Sequence, residues 1–128
     1  MTDGNGWSLE MDAGPIYVQI GVRVREQLAC GDLKPGDKLP SARDLAARLS
    51  VNPNTVVHAF ERLEADGVIE TKRGLGTFVR EDAPVAKMRA KILRAAAERY
   101  VNDVRRLGVP QDGALAALKE VWDAGKAR

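Results

Sequence analysis

The sequence predicts a mainly α-helical chain with one small β-hairpin, and three observations lead to that expectation. Apolar residues recur every three or four positions in five separate stretches, as amphipathic helices require. Proline, serine or asparagine stands at the start of several of these stretches, and glycine ends several. Only two adjoining runs, VIETK at 68–72 and TFVRE at 77–81, alternate with the period of a strand, and Arg73-Gly74-Leu75-Gly76 between them suits a hairpin loop.

Taken in order, residues 1–14 are rich in Gly and Asp without helical period, and read as a mobile arm with Trp7 and Leu9 held against the body. From Pro15 onward Ile16, Ile20, Val24 and Leu28 step by four, giving a first helix that Gly31 ends. Pro35-Gly36 then makes a tight turn, and Leu39, standing before Pro40, is forced into a short extended piece. Ser41 caps a short second helix, with Asp44 three residues on and Leu45, Ala46 and Leu49 as its apolar face. After Ser50–Asn52 comes a third helix over 53–66. A residue before proline is pushed out of helical space, as an N-cap residue must be, so Asn52 caps this helix. Pro53 takes the first helical position, where its missing N–H costs nothing. Val56, Ala59, Phe60 and Leu63 turn inward, and Gly67 stops the helix.

The pattern resumes after the hairpin. Ala86, Ala90, Leu93, Ala97, Tyr100, Val104 and Leu107 form a heptad-like series over 83–107, widened by Val85, Met88, Ile92 and Ala96. Gly108 and Pro110 interrupt it, and a last helix near 111–124 aligns Leu115, Leu118, Val121 and Trp122. The expected domains are an arm at 1–14, a first domain at 15–80 and a helical tail at 81–128.

Composition excludes several function classes. With 128 residues, 45% hydrophobic and 30% charged, the chain is long enough for one domain with an appendage. No apolar run reaches the roughly 18 residues of a membrane span, and the first twenty residues mix Asp, Glu and Gly, so no membrane contact is expected and the cytoplasm is the expected location. One cysteine, Cys30, excludes an intrachain disulfide, and with one histidine, His58, it leaves too few soft ligands for zinc. No nucleophile-and-base set or paired carboxylates converge, so neither an enzyme nor a cofactor is expected. The net charge of +2 divides unevenly, with ten Lys and Arg against eleven Asp and Glu up to residue 80, and ten against seven beyond it. Overall charge therefore does not argue for nucleic acid, and that case rests on where particular cations sit.

The order helix, extended piece, helix, three-residue turn, helix, hairpin describes a winged helix-turn-helix, whose second turn helix enters the DNA major groove by its N-terminal residues. Asn54 and Thr55 stand in that first turn and can bond base edges or phosphate. The free N–H groups of the turn favour a phosphate oxygen. Lys72, Arg73 and Gly74 occupy the hairpin tip, where the glycine lets backbone approach a groove. Arg43, in the first turn of the preceding helix, is expected on the same side.

Residues 15–79 resemble the DNA-binding domain of GntR-type bacterial transcription regulators almost throughout. The resemblance rests on Pro15-Ile16-Tyr17, Gly31-Asp32-Leu33, Pro35-Gly36-Asp37, Leu39-Pro40-Ser41, Arg43-Asp44-Leu45-Ala46, Asn54-Thr55-Val56, Leu63-Glu64, Gly67 and Gly74-Leu75-Gly76-Thr77-Phe78-Val79. It implies base and phosphate contacts at Arg43, Asn54, Thr55, Arg73 and Gly74. Pro53 departs from the pattern, because many members carry a basic residue there. The 48-residue remainder is similar to the short tail of the YtrA-like subgroup. That resemblance implies a repressor, with transporter genes as common neighbours of the subgroup.

Forty-eight residues cannot enclose the large effector domain of longer relatives, because so short a segment hardly supports a core alone. The tail therefore needs a partner, and pairing two chains would form a four-helix cluster. Met88, Ile92, Leu93, Tyr100, Val104, Leu107, Leu118 and Trp122 are the expected dimerisation residues. A homodimer sets two recognition helices on one face of an inverted-repeat operator. No residue pattern indicates a small-molecule effector, although the apolar set between the tail helices leaves room for one. The rival expectation is a winged helix that serves as a protein-interaction module without specific DNA binding. His58 is expected at the surface or half-buried, and Cys30 as a small packed residue at a helix end.

Overall fold

A computed structural model describes Leu9 and residues 14–126. The expected N-terminal arm, Trp7 included, lies outside the described residues except for Leu9, which is buried with the core, and Gly14. The chain divides into two compact units, residues 1–90 and 91–128.

The first unit holds α1 (Ile16–Cys30), α2 (Ala42–Leu49), α3 (Pro53–Ala65), the strands β1 (Ile69–Lys72) and β2 (Gly76–Val79), and the start of α4 (Val85–Arg106). Local chemistry sets the helix starts. The Ser41 hydroxyl accepts from the Asp44 N–H at 3.0 Å, and Asn52 Oδ1 accepts from the Asn54 N–H at 2.8 Å. Pro53 follows Asn52 as the first residue of α3, so the proline begins a helix rather than breaking one. Gly31, in the left-handed region at φ 85°, terminates α1.

Helix α3 lies at the centre of this unit and packs on α1, α2 and β1. Ile20, Val24 and Leu28 of α1 meet Leu45 and Leu49 of α2 and Val56, Phe60 and Leu63 of α3, and Val68, Ile69 and Val79 close the wing side. The expected inward positions of all three helices are thus the observed ones. Cys30 is a correction: it is exposed, because it is the last residue of α1 and falls beyond the stripe that ends at Leu28 and Ala29.

β1 and β2 pair antiparallel, with Ile69 opposite Val79 and Lys72 opposite Gly76. The extended piece before Pro40 joins them, since Lys38 bridges to Phe78, the Leu39 N–H donates to the Thr77 carbonyl at 2.8 Å, and the Val79 N–H donates to the Asp37 carbonyl at 2.8 Å. The wing therefore rests on a third backbone segment, which ties it to the residues just before α2.

The second unit contains the rest of α4 and α5 (Gln111–Lys126), joined through Gly108 at φ 73°. The Tyr100 hydroxyl donates to the Ala114 carbonyl at 2.8 Å. No residue of α5 is buried, and in α4 only Met88 is. Met88 corrects the expected dimerisation set, because its side chain lies in the core of the first unit instead. Leu93 at 69%, Leu107 at 76% and Trp122 at 70% exposure show how little of the expected tail stripe is covered within one chain.

Candidate nucleic-acid interface

The candidate interface is assembled from the first turns of α2 and α3 and the tip of the wing. Each is fixed from below by the apolar core and from the side by backbone bonds. Arg43 follows the Ser41 cap by two residues and is exposed. Asn54 is exposed two residues before the buried Val56, with its backbone N–H held by Asn52 and its side-chain amide uncommitted among the described residues. Thr55 is half-buried, and its N–H donates to the Asn52 carbonyl at 3.0 Å, so it is less presented than Asn54.

At the wing, the Leu75 N–H closes the loop on the Lys72 carbonyl at 2.9 Å. Gly74 has φ 80° with open space around it, a backbone conformation that L side chains rarely adopt. Arg73 is exposed and makes no ion pair among the described residues. Lys72 differs: its ammonium lies 4.9 Å from the Phe78 ring centroid and 3.7 Å from Glu70 Oε1, so part of its charge is balanced within the wing. The Thr71 N–H donates to Glu64 Oε1 at 3.2 Å, which fastens the wing to α3.

Lys38 is a cation of this region that periodicity alone does not single out. It is exposed opposite Phe78, and a Cβ on Gly76 would stand 2.8 Å from its Cε, so its stem crosses the wing at that glycine. The sequence signal was the glycine itself, whose missing side chain makes room for a neighbour. His58 packs edge-on against Tyr17 of α1, with ring centroids 4.3 Å apart, and the Arg62 guanidinium lies 5.7 Å from the Tyr17 ring centroid. Arg25 of α1 pairs with Asp66 at the end of α3 at 2.6 Å. Both contacts brace α3 against α1.

Among the described residues no cluster of His, Cys, Asp or Glu could hold a metal ion, and no helix is long and apolar enough to cross a membrane. Arg80 grips Asp82 through two bonds, at 2.7 and 3.0 Å. The guanidinium bond holds the Asp82 carboxyl below the usual carboxylate range, and the same bond raises Arg80. The exposed amide of Asn54 and the exposed guanidinium groups of Arg43 and Arg73 are of the chemical types that hydrogen-bond base edges and phosphate oxygens.

Residues 16–79 match the family described as bacterial regulatory proteins, gntR family. The chain is 38% identical over 109 residues to the HTH-type transcriptional repressor YtrA of Bacillus subtilis, covering 84% of each chain. A GntR family transcriptional regulator from Listeria monocytogenes has a similar structure, with TM-score 0.76 and 32% identity over 87% of this chain and 98% of that one. The DNA-binding domain of AraR, solved in complex with operator ORX1, is similar at TM-score 0.50 and 26% identity, over 57% of this chain and 88% of that one.

Proposed function

The chain belongs to the gntR family of bacterial regulatory proteins and is a transcriptional regulator with a DNA-binding domain, and we propose that it acts as a homodimeric repressor on an inverted-repeat operator. In this reading residues 15–80 bind DNA and residues 81–128 dimerise, in the cytoplasm. Asn54 and Thr55 approach the major groove, Arg43 approaches base or phosphate beside them, and Lys72, Arg73 and Gly74 reach from the wing. A transporter operon is the proposed target, on the subgroup resemblance.

The observation that carries this reading is the exposure of Arg43, Asn54 and Arg73 on three separate elements of one winged helix, with no side-chain partner for any of them among the described residues. The repressor name of the similar YtrA supports the sign of regulation. The second unit supports a dimer, because Ile92, Leu93, Leu107, Leu118 and Trp122 all remain exposed in a single chain while Tyr100 and Val104 are half-buried.

The test is a gel shift of the full chain with the DNA upstream of its own gene, with light scattering to count chains per complex. Two chains per duplex and resistance to excess random DNA are expected. Binding that random DNA removes would instead support a protein-interaction module.

A further inference from the structure

The second turn of α3 exposes a valine that neither the fold nor the proposed contacts use. Its neighbours Val56 and Ala59 are buried, but Val57 is 41% exposed. Val57 stands three residues after Asn54 and four after Pro53, so these three share one face of the helix. His58 is engaged elsewhere, its ring edge-on to Tyr17.

Charge narrows what this face can read. No Lys or Arg stands between Arg48 and Arg62, and Glu61, four residues beyond Val57, is an exposed carboxylate that phosphate would repel. Besides the half-buried Thr55 and His58, whose exposed ring packs edge-on against Tyr17, the outward face of the first two turns is an amide, a pyrrolidine ring and an isopropyl group. Guanine is read best by a bidentate Arg or Lys, adenine by a side-chain amide, and the thymine methyl by apolar contact. Only the last two chemistries are present on the first two turns of α3, since Arg62 lies in its last turn with its guanidinium against the Tyr17 ring.

We infer that Val57 is a specificity-determining residue that packs on the C5-methyl group of a thymine in each operator half-site, beside an adenine read by Asn54. The inference rests on the proposed approach of α3 to the major groove. Guanine selection then falls to Arg43 or the wing. A valine in a helix has one strongly preferred rotamer, so its methyl groups are held in place before binding.

The experiment begins by selecting bound duplexes from a random library with the full chain, then replaces each thymine of the selected site by deoxyuridine, which lacks only the methyl group. Wild-type protein should lose about fourfold in affinity at one symmetry-related thymine per half-site, the effect of one uncovered methyl. Val57→Ala should bind the thymine and deoxyuridine duplexes equally at that position, with an unchanged circular dichroism spectrum. If no duplex is enriched, the DNA-binding reading itself fails. If a site is enriched but no deoxyuridine weakens wild-type binding, or if Val57→Ala keeps the full wild-type loss, that reading stands and the role of Val57 falls.

Discussion

Arg89 Nε donates to the backbone carbonyl of Ala29 at 3.0 Å, joining the second turn of α4 to the last turn of α1 across sixty residues. The end of a helix leaves carbonyls without partners, and a cation is well suited to one of them. Met88 beside it is buried in the core of the first unit. Met88→Ala should therefore lower unfolding stability by about 2–4 kcal/mol, and Arg89→Ala by about 1 kcal/mol. Urea unfolding followed by circular dichroism checks both, and a wild-type midpoint for Met88→Ala would mean that α4 is not anchored there.

The start of α3 offers a separate test of orientation. Asn52→Ala removes the cap that holds the Asn54 N–H and should cost about 1 kcal/mol of stability. Pro53→Arg leaves that cap in place and adds a cation at an exposed first-turn position. One additional phosphate contact should steepen the dependence of log K on log salt by about 1. Anisotropy titrations at several salt concentrations measure this. An unchanged slope together with unchanged operator preference would show that position 53 does not face DNA.

Ser50, which ends α2, has φ 56°, the single positive φ at a non-glycine position among the described residues. Its N–H donates to the Ala47 carbonyl at 3.3 Å, and the left-handed turn here gives the tight path from α2 into Asn52. A β-branched residue in this region is sterically opposed, so Ser50→Val should cost about 1–2 kcal/mol. Thermal melts of Ser50→Val and Ser50→Gly separate conformation from hydroxyl loss: only the valine variant should melt markedly lower.

The Arg80–Asp82 pair sets a pH dependence of known sign. Hydrogen bonding from Arg80 lowers the Asp82 pKa in the folded chain. A depressed folded pKa means that its stabilisation is present above the ordinary carboxylate pKa and is lost as pH falls through the lower folded value. Both side chains are exposed, at 40% and 71%, so water screens the pair and the effect on stability is small. Carboxyl NMR titration is the sensitive readout: Asp82 should titrate higher in Arg80→Ala than in wild type. Identical titrations would mean that the pair does not persist in solution.

Most of the winged helix was legible because its signals are local. Ser41, Asn52 and Pro53 announce helix starts through chemistry within three residues, and Leu45, Val56 and Leu63 declare the buried faces by period. What escaped depends on distant contacts. The bridge from Lys38 to Phe78 spans the whole helix-turn-helix, so an isolated extended residue gives no hint of its partner. Met88 fits the same apolar series as Ile92, yet the two differ in what surrounds them: Met88 is in a core, and Ile92 is 39% exposed. Periodicity names a face without naming what covers it. Cys30 failed for a related reason, since only the stop at Gly31 leaves it outside the stripe.

The exposed tail residues yield a prediction that separates assembly from folding. Leu107 and Trp122 are 76% and 70% exposed, so within one chain a charged replacement at either site disrupts no core and should change monomer stability by about 0.5 kcal/mol or less. Across a dimer interface the same charge would be desolvated without a partner, at a cost of several kcal/mol. The double variant Leu107→Glu/Trp122→Glu should therefore sediment as a folded monomer where the wild type sediments as a dimer. Losing the second half-site removes the gain from linked binding, so operator affinity should fall by about 10²-fold or more while binding to an isolated half-site stays close to wild type. Sedimentation velocity and anisotropy on full and half operators measure both effects. A variant that stays dimeric would place the interface elsewhere on the chain.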